Sequence, residues 1–282
     1  MKTVWITGAG GLIGSYLVRC APQFAPDATV AALTRARLDL TDASAVRAAF
    51  LLQKPQIIIH CAALTASPEC EANPALAWKL NVEVTALLAE LAACIPLFFL
   101  STDLVFDGRR GNYDETAPVN PQSVYAETKV AAERIILANR RHTVIRMSLN
   151  GGTSPTGDRG FNEQTRRAWQ AGRTLRLFTD EFRSPIAAEV TARAIWELVD
   201  RNKPRLYHVA GSERMSRWQI GQLLAARWPQ LKPGLEPASL KEYVGAPRAP
   251  DTSLNCAKAQ ALLSFRLPGL TEWLSAHRDE AF

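Results

Sequence analysis

The chain is expected to fold as an α/β protein, a doubly wound parallel sheet followed by a smaller C-terminal α/β lobe. Three observations lead there. Short runs rich in β-branched and aromatic residues alternate with helical patterns through residue 148, which is the rhythm of βαβ units. The strand candidates are continuous apolar runs, as strands buried on both faces are. A glycine-rich turn, "TGAGGLIG" (7–14), joins the first strand to the first helix.

The elements follow in order. "TVWIT" (3–7) reads as a buried strand and "LIGSYLVRCA" (12–21) as the helix after it. "TVAALT" (29–34) is a second strand, and "DASAVRAAFLLQ" (42–53) a helix with Asp42 at its start. "QIIIHCAA" (56–63) is a strand and "PALAWKLNVEVTALLAELAACI" (74–95) one long helix. "PLFFLST" (96–102), a helix over 123–139 and "HTVIRMS" (142–148) complete the alternation. Beyond 150 the rhythm loosens. A Gly/Ser/Pro loop (151–160) precedes a helix, a strand (174–178), helices over 187–201 and 216–228 with a strand (205–211) between them, and a Pro-rich ordered loop (229–254). The expected domains are a dinucleotide-binding unit over 1–150 and a substrate lobe over 151–282, with a return segment near 179–200 packing on the first unit.

Bulk properties narrow the function. With 282 residues, 47% of them hydrophobic, the chain can bury a large core. The net charge of +6 favours acidic ligands, but the basic residues are scattered and form no groove-reading motif, so no nucleic-acid partner is expected. Five widely spaced cysteines without a CxxC pair fit a reducing compartment. The four histidines form no metal-ligand cluster, so no metal is expected. No apolar run approaches the length of a membrane span and no leader-like segment precedes the first strand, so a cytoplasmic protein without a membrane partner is expected.

The glycine turn carries the first chemistry. Gly8 permits the tight turn, Gly11 lets backbone approach a pyrophosphate, and Gly14 lets helix and strand pack closely. With Gly10, Leu12 and Ile13 they place a helix N-terminus against the phosphates. The second strand ends in Leu33-Thr34-Arg35-Ala36-Arg37, with no acid before Asp39. Arg35, with Arg37 as a second candidate, is therefore placed to meet a 2′-phosphate, which favours NADP(H) over NAD(H).

"SVYAETK" (123–129) puts Tyr125 and Lys129 on one helix face. Taken with "TGAGGLIG", "LDLTD" (38–42), "HCAA" (60–63), "LNVEVTALLAELA" (80–92), "STDLVFDG" (101–108), "NPQSVYAETKVAAE" (120–133), "FRSPIAAEVTARAI" (182–195), "YHVAGSERMSRWQIGQLLA" (207–225) and "PRAPDTSLNCAKAQALL" (247–263), it makes nearly the whole chain resemble an extended short-chain dehydrogenase/reductase. The resemblance is to the branch that includes dTDP-4-dehydrorhamnose reductase. It implies a Rossmann fold and NADP(H)-dependent reduction of a keto group, on a nucleotide-linked 4-keto-6-deoxysugar. It implies that Asp39 and Leu40 flank the adenine, that Cys61, Ala62 and Ala63 line the cofactor, and that Asn81 sits behind the catalytic residues. Thr102 would hydrogen-bond the substrate carbonyl, Tyr125 would donate the proton, and Lys129 would lower the phenol pKa and hold the nicotinamide ribose. Thr65, Ser101, Asp103, Phe106, Arg146, Arg183 and Arg248 fall in substrate-side segments. "TASPECE" (65–71) departs from the branch, with Pro68 where an acid is usual. Two other functions fit the same pattern: a sugar-nucleotide epimerase or dehydratase with bound NAD, and a catalytically silent NADP-binding regulatory subunit. Helix surfaces do not fix the oligomeric state; a homodimer is one expectation.

Overall fold

The computed structural model describes residues 2–278 and 282. Its first half runs β1 (Lys2–Thr7), α1 (Leu12–Phe24), β2 (Ala28–Leu33), α2 (Ala43–Gln53), β3 (Ile57–His60), α3 (Ser67–Ala72), α4 (Pro74–Trp78), α5 (Val84–Leu91), β4 (Leu97–Thr102), α6 (Val124–Leu137) and β5 (Thr143–Met147). The second half comprises β6 (Asn150–Gly151), α7 (Phe161–Gln170), β7 (Leu175–Phe178), β8 (Phe182–Arg183), β9 (Ile186–Ala187), α8 (Ala188–Arg201), β10 (Leu206–Val209), β11 (Met215–Ser216), α9 (Arg217–Arg227), β12 (Leu235–Ala238), α10 (Ala257–Gln260) and α11 (Leu270–Ala276).

Six strands form one parallel sheet in the order β2-β1-β3-β4-β5-β10. Successive side chains on a strand point to opposite faces. Val4 and Ile6 accordingly join one core with Leu17 of α1 and Trp196 of α8, and Trp5 joins the other with Leu88 of α5 and Ile136 of α6. The Trp196 indole N–H donates to the Leu17 carbonyl (3.0 Å), fixing α8 on α1. The chain leaves β1 for β2 on one side and returns to β3 on the other. That reversal opens a crevice at the carboxyl ends of β1 and β3, where open α/β sheets bind ligands.

Three features differ from what the sequence predicts. The helix over 74–95 is not continuous: Lys79–Glu83 form a π-helical turn between α4 and α5. Also, β10 lies beyond residue 150 yet supplies the sheet's last strand, paired with β5 from Leu206–Val144 onward. The first 150 residues therefore do not complete the sheet. The Pro-rich stretch contributes β12, which pairs in parallel with β7. No helix among the described residues is long and apolar enough to cross a membrane.

Candidate active site

The crevice is a cavity of about 710 Å³ whose floor is the glycine turn. Gly8 has φ +65°, and a Cβ there would come within 2.6 Å of the Ala62 amide nitrogen. A Cβ at Gly14 would overlap the Gly8 carbonyl. Both positions therefore need glycine, for handedness and for close approach. The Gly11 N–H donates to the Gly8 carbonyl (2.9 Å), and α1 starts at Leu12 with no side chain capping it. Its first amides are left for an anion. Thr7 ties this turn to the strip after β3: its hydroxyl accepts from the Cys61 and Ala62 amides (3.2 and 3.3 Å) and bonds His60 Nδ1 (2.7 Å).

At the far end of the crevice Arg35 lines the cavity and is 86% exposed. Asp39 also reaches it, with its Oδ2 3.8 Å from Arg35 Nε. The other Asp39 oxygen accepts from the Thr41 amide and hydroxyl (2.9 and 2.8 Å). Those bonds hold the carboxyl below its usual range. Arg37 turns its guanidinium to the Ala32 carbonyl (3.1 Å) and stays off the cavity.

The candidate catalytic residues lie where β4 meets α6. Ser101, Thr102 and Asp103 leave β4 at its carboxyl edge and line the cavity. Ser123 caps α6 by accepting from the Ala126 amide (3.3 Å), and Glu71 of α3 accepts from the Val124 amide (2.9 Å). This anchors the first turn, which carries Tyr125. Asn81, in the π-helical turn, accepts from the Leu64 amide (2.7 Å) and donates to Thr128 of α6 (3.0 Å). Burial, then the Asp103 carboxylate, hold the Tyr125 phenol above its ordinary pKa, opposed by a hydrogen bond with the Thr102 hydroxyl. Lys129 is 2% exposed; its ammonium donates to the Leu100 carbonyl (2.6 Å) and sits 3.9 Å over the Phe99 ring. Burial pulls its pKa down to about 7, opposed by Glu133 and Cys61. The sequence reading had Lys129 lowering the phenol pKa. The structure differs: Lys129 is directed to a main-chain carbonyl, and desolvation governs both groups.

The cavity gathers most of the residues named from the sequence: the glycine turn through Gly14, Arg35, Asp39, Leu40, Cys61, Ala62, Ala63, Thr65, Ser101, Thr102, Asp103, Tyr125, Lys129 and Arg183. It leaves out Phe106, Arg146 and Arg248. Phe106 is fully buried and stacks on Tyr113 at 4.2 Å. Arg146 is buried in a bidentate pair with Glu133 (2.9 and 2.7 Å). Arg248 is bound to Glu181 through Nε and Nη2 (2.6 and 3.0 Å). Arg183 lines the cavity, but its donors are taken by Glu181 (3.0 Å), the Phe182 and Ala249 carbonyls (2.7 and 3.1 Å) and, at 3.8 Å, Asp103. The cavity also holds two arginines outside the motifs that the resemblance marks as substrate-side, Arg159 and Arg217. Arg217 opens α9, and among the described residues its Nε donates to Glu181 Oε1 (2.9 Å). The signal for it was the capping box formed by Ser216 and Gln219, which sets Arg217 in the first turn of a helix.

A parallel sheet with a glycine turn at its switch point, and a Thr–Tyr–Lys group at the next strand end, defines an extended short-chain dehydrogenase/reductase. The family model described as RmlD substrate binding domain matches residues 1–281, and the chain belongs to that family. It is 31% identical to a dTDP-4-dehydrorhamnose reductase of Mycobacterium tuberculosis over 282 aligned positions, 96% of this chain and 90% of that protein. It is 28% identical to methionine adenosyltransferase 2 subunit beta of Xenopus laevis over 91% of this chain and 81% of that one. A dTDP-4-dehydrorhamnose reductase of Streptomyces griseus is 42% identical over 135 residues, 47% of this chain and 44% of that protein. Among solved structures, a hypothetical dTDP-4-dehydrorhamnose reductase from Sulfolobus tokodaii superposes with TM-score 0.84 at 28% identity, covering 96% of this chain and 97% of that one. The NADP complex of the Bacillus anthracis dTDP-4-dehydrorhamnose reductase shares the fold, with TM-score 0.89 at 24% identity and 98% of each chain covered.

Proposed function

We propose that this chain is an NADP(H)-dependent reductase that reduces the keto group of a nucleotide-linked 4-keto-6-deoxysugar. The observation that carries this reading is the convergence of Thr102, Tyr125 and Lys129 on the same cavity as the glycine turn. A dinucleotide fits the cradle, because Gly8, Gly10 and Gly11 line the cavity beside an α1 N-terminus that no side chain caps. The α1 N-terminus would hold the pyrophosphate and Arg35 the 2′-phosphate, with Lys129 at the nicotinamide ribose. The bound nucleotide supplies hydride from nicotinamide C4.

The rest falls to the chain's own groups. Thr102 donates a hydrogen bond to the substrate oxygen, and Tyr125 Oη gives that oxygen its proton as the carbonyl carbon becomes tetrahedral. A phenol held above its ordinary pKa stays protonated at neutral pH, which suits a donor to a strongly basic alkoxide. Arg217 and Arg159 are the cavity cations for the substrate diphosphate. The test is a panel of keto-sugar nucleotides and simple ketones with NADPH or NADH, followed by cofactor absorbance. Turnover with a keto-sugar nucleotide, and tighter binding of NADPH than of NADH, are expected. Equal dissociation constants for the two cofactors would remove Arg35 from its role.

One observation favours a second reading. The likeness to methionine adenosyltransferase 2 subunit beta extends over 91% of this chain. A regulatory subunit would bind NADPH and turn over nothing in the panel.

A further inference from the structure

The catalytic helix carries a third polar residue on the face of Tyr125 and Lys129. Glu133 lies one turn beyond Lys129, as Lys129 lies one turn beyond Tyr125. Its carboxylate is 3% exposed and accepts three bonds: from the Ser101 hydroxyl (2.5 Å), Arg146 Nε (2.9 Å) and Arg146 Nη2 (2.7 Å). Ser101 sits between Leu100, whose carbonyl takes the Lys129 ammonium, and Thr102. Arg146 reaches on to His208 of β10 (3.5 Å) and lies over Phe106. The network thus joins α6 to β4, β5 and β10 directly behind the reactive groups.

We propose that Glu133 is a positioning residue of the active site: its buried carboxylate, one helical turn beyond Lys129, sets the charge beside that side chain and locks α6 to the strand that presents Thr102. The inference rests on the reductase reading for Lys129's role at the cofactor ribose. The other titratable groups facing Lys129 are His60 at the end of β3 and Cys61 in the loop after it. Burial keeps His60 neutral and lifts the Cys61 thiol well above its usual range. Neither carries charge at neutral pH, and the Tyr125 phenol is protonated there, so Glu133 is the anion that opposes the desolvation of Lys129.

The test measures NADPH affinity against pH, by cofactor fluorescence, beside the alkaline limb of kcat for reduction. In Glu133→Gln both midpoints should move down by about one pH unit, because the ammonium loses its counter-charge. Arg146→Met, which leaves that carboxylate unneutralised, should move them up. The double variant Glu133→Gln/Arg146→Met leaves neither charge unpaired, and its midpoints should again lie below those of the parent. A scaffold role alone predicts folded variants with unmoved midpoints, or shifts of the same sign in both single variants; either result would overturn the proposal. Failure of all three variants to fold would assign Glu133 to the core and overturn it too. If the parent reduces no ketone, the reductase reading fails, while the NADPH titration still reads Glu133.

Discussion

Arginine makes the residue-scale lesson plain. Arg146, Arg183 and Arg248 stand in segments that resemble substrate-side motifs, but a segment does not say what a guanidinium meets. Arg146 meets Glu133, and Arg183 and Arg248 share Glu181, which is fully buried. A buried carboxylate among three arginines is held ionised; Glu181 has its pKa lowered to about 2 although burial alone would raise it. The pairing partners lie 13 and 67 residues away for Arg146 and Arg248, beyond any local pattern. Arg217, with one donor held and the cavity before it, is where an anion would be met. Arg217→Ala is expected to raise the substrate KM about 10- to 100-fold, on the scale of a lost charge-assisted bond, and to spare NADPH affinity. Steady-state kinetics with the accepted substrate, beside a cofactor titration, checks both. A second residue bears on stability alone. Both ring nitrogens of buried His142, and the neighbouring Thr143 hydroxyl, have no hydrogen-bond partner among the described residues. His142→Leu should be neutral or stabilising by about 1 kcal/mol, since it removes polar atoms that burial penalises. Urea unfolding at neutral pH measures this, and a marked loss of stability would show that the imidazole has a partner in solution.

Elements were more legible than their joints. Strand and helix order could be read because the apolar runs and helical patterns are local. The glycine turn was readable because one short stretch supplies strand end, turn and helix start. The π-helical turn was not, because "KLNVE" keeps a helical pattern, while Asn81 within it bonds Leu64 in the loop after β3 and Thr128 on α6. β10 was read as a strand, but its seat at the sheet edge depends on a crossover from residues beyond 150. The start of α6 tests whether element ends govern the site. Ser123→Ala removes the cap from the turn that carries Tyr125. It should cost about 1 kcal/mol of stability and lower turnover with little change in NADPH affinity. Denaturation and kinetics on one preparation would show it; unchanged turnover at reduced stability would confine Ser123 to folding.

Across the whole molecule, the parallel sheet brings the candidate site residues to one cavity, and its buried histidines set the pH range in which it stands. His60 and His208 are pushed down to about 3 and about 4, both chiefly by burial, and His142 is also lowered by burial. In the unfolded chain a histidine titrates near 6.5. Between about 6.5 and about 4 the unfolded chain therefore binds protons that the folded chain refuses, and stability falls as pH falls. His60 and His208 each remove about 1.4 kcal/mol per pH unit across that window, and His142 acts in the same direction. Glu181, with its folded pKa below the unfolded value, adds a further loss as pH falls from the usual glutamate range towards 2. Thermal or urea unfolding between pH 8 and 4 is expected to show a plateau above neutrality and a steady decline below about 6.5. A flat profile down to pH 4 would mean that the histidines are hydrated in solution.

The proposed reductase chemistry turns on Tyr125 as the proton donor. Its most direct test is single-turnover oxidation of bound NADPH by an accepted keto-sugar nucleotide in Tyr125→Phe. The substitution removes one hydroxyl and leaves the glycine turn, Arg35 and Lys129 in place. Unchanged NADPH affinity is expected, with a rate lower by roughly 10²–10⁴-fold, the scale of general acid–base catalysis. A Tyr125→Phe protein that oxidises NADPH at nearly the parent rate would contradict it.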